Sequence, residues 1–193
     1  MPPYNANMDK NFSSQGRYRL KPNTLGSLFS QYMPLAGGDM LLRRITPSDA
    51  GDILCIYSDT AQFTYTPGLR ATSLKRAVTL IEGFDWRFKL HLGAMWGMEV
   101  CGHIVGAIEA MLEQDSLLVG YIVDPAHKNK GFATKALGLV TRYLLNELGF
   151  PMVLAKVDKD NLPSIRVLEK CGFEKTAQGK DGLLIYRIAQ APK

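Results

Sequence analysis

Residues 119–137 read Val119-Gly120-Tyr121-Ile122-Val123-Asp124-Pro125-Ala126-His127-Lys128-Asn129-Lys130-Gly131-Phe132-Ala133-Thr134-Lys135-Ala136-Leu137. An apolar, β-branched run ends at Asp124-Pro125, because proline pushes the residue before it out of helical backbone. A short basic loop follows, and then a long stretch in which Ala136, Leu137, Val140, Tyr143, Leu144 and Leu148 recur at helical spacing. Gly149 stands where a glycine ends such a helix. The order is therefore strand, loop, helix. Gly131 and Ala133 are small and sit at the helix start, where main-chain N–H groups are unpaired and the helix end is positive. Lys128 and Lys130 add charge and Thr134 adds a hydroxyl. That combination fits a phosphate or diphosphate. It is neither a Walker loop, which needs a Gly-Lys-Ser/Thr ending, nor a dinucleotide fingerprint, since only one glycine lies in the loop. The bare Lys-x-x-Gly-x-Ala pattern also suits a helix start without a ligand.

Outward from this stretch, the N-terminal side gives a strand at Met40–Ile45 and then Thr46-Pro47-Ser48-Asp49, a helix start with proline at its first position. Ile53, Leu54 and Tyr57 continue at helical spacing. Ser73 caps a second helix through about Phe84, with Leu74, Ala77, Val78 and Ile81 on one face. Strands at Gly93–Val100 and His103–Met111 flank a tight turn at Cys101-Gly102, and Leu117–Val123 is a third. On the C-terminal side, Met152–Val157 is a short buried strand. Asn161-Leu162-Pro163-Ser164 opens a helix to Lys170. Phe173–Thr176 and Leu183–Ile188 pair as a hairpin. The expected fold class is α/β (α+β): a mixed, mostly antiparallel central sheet of about six or seven strands with helices on both faces.

Length and composition agree with one ordinary globular domain. The chain has 193 residues, 46% of them apolar and 21% charged. Residues 1–39, with Pro2, Pro3, Pro22 and Pro34 and no sustained period, are expected to form a loosely packed or partly disordered arm, whose Tyr18, Phe29 and Tyr32 can dock on the domain. Gly37-Gly38 marks the boundary with a domain at 40–193. No apolar run approaches the roughly 20 residues that span a bilayer. The opening MPPYNANMDKNFSSQG lacks a basic segment followed by an apolar one, so no secretory leader is expected. Cys55, Cys101 and Cys171 are an odd set with no metal-ligand spacing, which suits a reduced, cytoplasmic chain without a bound metal. The net charge of +5 is scattered, without the basic stripe and aromatics of a nucleic-acid binder.

The stretch GYIVDPAHKNKGFATKAL, followed after a strand by Val157-Asp158-Lys159-Asp160-Asn161-Leu162-Pro163-Ser164-Ile165-Arg166-Val167-Leu168-Glu169-Lys170-Cys171-Gly172-Phe173, resembles the GNAT N-acetyltransferase superfamily. Within it the chain looks most like the ribosomal-protein-alanine (RimJ/RimL) type, and the opening LLRRITPSDAGDILCIYSD is similar to the start of that domain. The resemblance covers about residues 40–188 and makes 40–193 an acetyltransferase domain. It implies acetyl-CoA as donor, with no metal, and a pantetheine arm lying between two strands that splay apart, here Leu117–Val123 and Met152–Val157. It assigns the pantetheine to Tyr121, Ile122 and Val123, mostly through main chain. It assigns the diphosphate to Lys128, Asn129, Lys130, Gly131, Phe132, Ala133 and Thr134. Asn161 and Ser164 match the family's pair near the thioester. Lys128 stands where the family usually has Gln or Arg, keeping charge without a fork.

Two positions depart from the family. Val119 occupies the place of a carboxylate common before Gly-Tyr, and Leu168 that of a tyrosine general acid. An amine must lose a proton before attack, easily for an α-amine of pKa ~8 and less so for a lysine near ~10.4. Glu109 is the leading base, with Glu99 and Glu113 as others, and Ser164 is the remaining acid candidate, alongside Asn161. A main-chain N–H freed by a bulge near Tyr121–Val123 is expected to stabilise the oxyanion. His103 and His127 fit ordinary structural roles, and Trp86 and Trp96 suit the acceptor pocket or the core. The implied function is acetyl transfer to a primary amine, either a protein N-terminus or a small molecule. The alternative is a catalytically weak acyl-CoA sensor on the same fold. A nucleotide- or RNA-binding domain is a more distant third. No membrane partner is expected, and a homodimer is left open.

Overall fold

A computed structural model describes residues 32–59, 69–113, 116–179 and 181–190. Strand β1 (Leu35–Gly37) turns at Gly38 (φ +59°) into β2 (Met40–Arg44). A single turn of 3-10 helix, Pro47–Asp49, leads into α1 (Ala50–Ser58). Thr46 and Asp49 form a reciprocal cap there. Helix α2 (Leu74–Lys89) starts at Ser73, whose hydroxyl accepts from the Arg76 N–H at 3.2 Å. Then come β3 (Gly93–Val100), β4 (His103–Glu113) and β5 (Ser116–Val123). Helix α3 (Phe132–Arg142) continues through a wider π turn, Tyr143–Glu147, to β6 (Met152–Val157). Helix α4 (Leu162–Lys170), β7 (Glu174–Gln178) and β8 (Leu184–Ala189) complete the chain.

One sheet of eight strands runs β1-β2-β3-β4-β5-β6-β8-β7. Every neighbouring pair is antiparallel except β5–β6. The parallel pair needs a crossover, and α3 supplies it. Two cores cover the two faces. Helices α3 and α4 pack with Trp96, Ile108, Leu117 and Val153 on one side. Helices α1 and α2 pack with Met95, Ile104 and Ala107 on the other. The expected mixed sheet is found with one strand more, because β1 is a three-residue Leu-Ala-Gly segment whose sequence carries no alternation. It exists because Gly37 lies against Leu139 and the turn presents it to β2. Of Gly37-Gly38, read as a boundary, Gly37 ends β1 and Gly38 opens the two-residue turn Gly38-Asp39 into β2, and Tyr32, Met33 and β1 are seated on the sheet.

The end of β2 leaves β3 without a partner past the Arg44–Trp96 pair. Tyr32 closes that edge with a side chain. Its hydroxyl donates to the Met95 carbonyl and accepts from the Met95 N–H at 3.0 Å. Its ring lies 4.2 Å from Phe88, centroid to centroid, and under the Arg44 guanidinium at 5.8 Å. Next to it, Trp96 Nε1 donates to the Met33 carbonyl at 2.9 Å. Burial pushes the Tyr32 hydroxyl up to about 12.

Tyr32→Phe keeps the ring contacts but leaves both main-chain groups of Met95 unpartnered. The expected cost is about 1–3 kcal/mol. Urea unfolding at neutral pH measures it, and an unchanged midpoint would mean that water reaches Met95 and replaces the hydroxyl.

Candidate active site

Strands β5 and β6 share one pairing, Leu118 with Leu154, and then part. Between them opens a cleft of about 190 Å³. Val119, Gly120 and Tyr121 form one wall, Ala155 and Val157 the other, and Asn161, Ser164 and Leu168 of α4 stand over it. Tyr121 is a pillar: its hydroxyl donates to the Ser164 carbonyl at 3.1 Å, and burial raises it to about 12. Asn161 Oδ1 accepts from the Ser164 N–H at 3.2 Å, so Asn161 caps α4. The main chain of Ser164 is therefore fixed from both sides. Cys171 joins the same corner by donating to the Thr134 carbonyl at 3.4 Å.

Past the cleft, β5 runs through a short loop to the start of α3. Asp124 caps the 3-10 turn Pro125–His127, accepting from the Ala126 N–H at 3.2 Å and meeting His127 Nδ1 at 2.9 Å. Asn129 (φ +63°) and Gly131 (φ +82°) are both left-handed, which bends the loop into the helix. The first ladder bond runs from the Lys135 N–H to the Gly131 carbonyl at 3.0 Å. The amides of Phe132, Ala133 and Thr134 therefore precede the ladder. A Cβ on Gly131 would meet nothing within 4 Å, so the space before the helix is open. Lys128, Asn129 and Lys130 are exposed around it, whereas Lys135 is turned away to pair with Asp39. An anionic end at α3 and a thin arm in the cleft fit this shape.

Glu109 approaches from the other face. It pairs across with Gly120, and a Cβ on Gly120 would stand 3.3 Å from Glu109 Oε1. With no side chain on Gly120, the carboxylate lies close over β5, beside the cleft wall that Gly120 helps to form. Arg87 Nη1 lies 3.7 Å from Glu109 Oε2. Burial lifts the Glu109 carboxyl above the ordinary carboxylate range, and Arg87 opposes that in part.

The other sequence candidates are placed apart from the cleft. Glu99 is held by Arg43, which also forks onto Asp49 at 2.8 and 2.9 Å, so its carboxylate serves the β2–β3 junction. The Glu113 side chain lies outside the described residues. His103 is exposed beside Asp52. Trp96 is core, and Trp86 is exposed on α2. The bulge expected near Tyr121–Val123 is not there, because β5 pairs with β4 without interruption from Val123 to Ser116. The irregularity is on β4, where Ile104–Ala107 faces Gly97–Glu99. The amides that β5 leaves unpaired come instead from its divergence from β6. Arg87 was missed from sequence. Its signal was a cation three residues after Phe84 on the buried stripe Ala77, Leu80, Ile81, Phe84.

Residues 39–174 match the family described as acetyltransferase (GNAT) domain. YoaA of Bacillus subtilis strain 168, an uncharacterised N-acetyltransferase, is 30% identical over 141 residues, 70% of this chain and 80% of that protein. RimJ of Mycobacterium smegmatis, solved in complex with CoA-disulfide, superposes with a TM-score of 0.69 at 20% identity, over 82% of this chain and 86% of that one. RimL, a ribosomal alpha-N-protein acetyltransferase solved with coenzyme A, superposes at 0.70 and 13% identity, over 81% and 98%. At such identities the two superpositions speak to the fold.

The raised Glu109 carboxyl sets a pH dependence. The folded protein holds this proton more tightly than the unfolded chain does. Its contribution to stability is thus fully present below the ordinary carboxylate range and is lost as pH rises through the raised value. Relative to the parent, Glu109→Gln should gain stability near neutral pH and none at about pH 4. Thermal melts across that range decide it: an identical shift at every pH would mean that the charge is not what burial penalises.

Proposed function

The chain belongs to the GNAT acetyltransferase family and is an N-acetyltransferase, and from that premise we propose that it transfers the acetyl group of acetyl-CoA to a primary amine by direct attack at the β5–β6 cleft. One observation carries this reading: the only parallel neighbours among the described strands separate after a single pairing, and the first of them continues through a short loop to a helix N-terminus with open space before it. The main chain of Tyr121, Ile122 and Val123 takes the pantetheine amides. The amides of Gly131, Phe132, Ala133 and Thr134 take the diphosphate, with Lys128, Asn129 and Lys130 around it. Asn161 and Ser164 stand at the thioester end. When bound, acetyl-CoA supplies the activated acyl group.

Glu109, lying over Gly120 beside the cleft, receives the proton of the incoming amine. A raised carboxyl pKa suits that task, since a base works best when its pKa nears the operating pH. A thiol of pKa near ~8.5 leaves readily and asks little of an acid. The Ser164 hydroxyl, on a main chain pinned by Tyr121 and Asn161, is the group at hand for it. The absence of the family's carboxylate and tyrosine, with buried Val119 and Leu168 in their places, is what favours a second reading, a CoA-binding sensor. The acceptor is a small-molecule amine or a protein N-terminus; the names RimJ and RimL bear on the latter. Free thiols at Cys55, Cys101 and Cys171 fit a reducing, cytoplasmic setting.

Gly131→Val forces a branched residue into left-handed backbone, costing about 1–2 kcal/mol, and puts bulk where the diphosphate would lie. Calorimetry should show acetyl-CoA binding lost in a variant that still melts cooperatively, and normal affinity would remove the loop assignment. Glu109→Gln should lower turnover by about 10²-fold or more. The loss should be greater for lysine-like amines than for α-amines, and the acid limb of the pH–rate profile should vanish. Thiol release over an amine panel separates enzyme from sensor: binding without turnover on any amine favours the sensor.

A further inference from the structure

We propose that the acceptor is a free α-amino acid, with its carboxylate held by Arg87 and its amine delivered to Glu109. This rests on the acetyltransferase reading and names the substrate class of the same site.

Two half-buried arginines beside the sheet, Arg43 and Arg87, differ in kind. Arg43 is satisfied, with a fork onto Asp49 and a bond to Glu99. Arg87 has no oxygen within hydrogen-bond distance among the described residues. Its Nη1 donates to Met111 Sδ at 3.1 Å, and its face lies over the Phe84 ring at 5.6 Å. A thioether is a weak acceptor, and a ring under the face leaves the in-plane donors free. Glu109 Oε2, at 3.7 Å, attracts it without bonding to it. The guanidinium is thus parked by soft contacts, about a third exposed, with its oxygen-seeking fork unfilled.

Charge and spacing then choose the ligand. An Arg–Glu pair whose charges stand 3.7 Å apart presents a plus and a minus side by side. An α-amino acid presents the complement, an ammonium and a carboxylate on adjacent carbons with N and O about 3 Å apart. Both ends can be met at once, and the carboxylate suits a guanidinium fork. A polyamine would set a second cation against Arg87. A peptide N-terminus would offer a neutral carbonyl, which fills one donor and leaves the charge unmatched. The hollow among Phe84, Gly93, Met95, Met111 and the pair is about 10 Å³, room for one water-sized group, so a single carboxylate oxygen can enter it and the rest of the acceptor lies outside. The amine nitrogen bonds to the acetyl carbon as the C–S bond breaks. Of the two protons the ammonium loses, one leaves through Glu109 to water and one ends on the sulfur, giving the N-acetyl amino acid and CoA.

Thiol release is followed with acetyl-CoA and four acceptors: α-amino acids, their α-amides, alkyl amines and short peptides with free N-termini. In the parent, kcat/KM for acids should exceed that for amides at least ten-fold. Arg87→Gln should bring the ratio close to one. Arg87→Lys, which keeps charge without the fork, should fall between and serves in its place should the glutamine variant not fold. Taking each ratio across variants cancels the differing basicity of acids and amides, and Arg87→Lys, which keeps a cation beside Glu109, controls for a change in that carboxyl. Amides or peptides turned over as well as acids, or a ratio that Arg87→Gln leaves intact, would overturn the proposal. Calorimetric titration of amino acid and amide into the CoA-saturated protein gives a readout without turnover. Binding of acid alone, lost in Arg87→Gln, together with no thiol release, would keep the amino-acid site and sink acetyl transfer; binding of neither sinks the site.

Discussion

Two parallel strands that meet once and then separate leave main-chain donors and acceptors facing each other across a gap in the middle of a sheet. Each such group, buried without a partner, costs about 1–3 kcal/mol. Among the described residues the other neighbouring strands pair over three or more residues each, so inside the sheet this gap is where unfilled hydrogen-bonding capacity concentrates. An arm that carries amides can fill it. The same parallel relation requires a crossover, and the crossover helix α3 begins where β5 ends. One topological choice therefore sets both the slot for the arm and the anion site for its charged end. Gly131 and Asn129 let the chain turn sharply enough to join them.

The sheet also separates the two reactants. The face under α3 and α4 carries Tyr121, Asn161 and Ser164, whose bonds to one another hold the cleft wall. The face under α1 and α2 carries Glu109 and Arg87. Gly120, which helps to line the cleft, is the point where a missing side chain lets the Glu109 carboxylate lie close against β5. The helices on the second face are set by ionic contacts of an ordinary structural sort. Arg43 ties Asp49 at the start of α1 to Glu99 on β3, and Asp52 Oδ2 accepts from the Ile104 N–H at 2.8 Å beside the β4 irregularity.

Much of this was legible in the residues because local rules and tertiary structure agreed. Strands β3 and β6 have the bounds that alternation and turn residues gave them, and Ser73, Asn161 and Thr46 cap the helices expected of them. The loop from Lys128 to Thr134 was readable because glycine, small residues and lysines at a helix start all serve one purpose. What escaped depends on distant partners. Strand β1 is made by its neighbour rather than by its own three residues. The unpaired amides of β5 arise from the course of β6, which no residue of β5 reports. Glu99 and Glu109 look alike on paired strands, and only the company of Arg43 or of Gly120 tells them apart. Arg87 was visible as a misfit on an apolar stripe, but its meaning needed Glu109 opposite.

The latch at Tyr32 carries a lesson for anyone delimiting this domain by homology. The family match begins at residue 39, after both Tyr32 and β1. A protein cut at that limit would present the flank of β2 and the upper part of β3 as bare, apolar ribbon, the kind of surface on which a second molecule can zip. Self-association or insolubility of such a fragment would then report the loss of Tyr32 and β1 with the rest of residues 1–38, and not any instability of the catalytic fold itself.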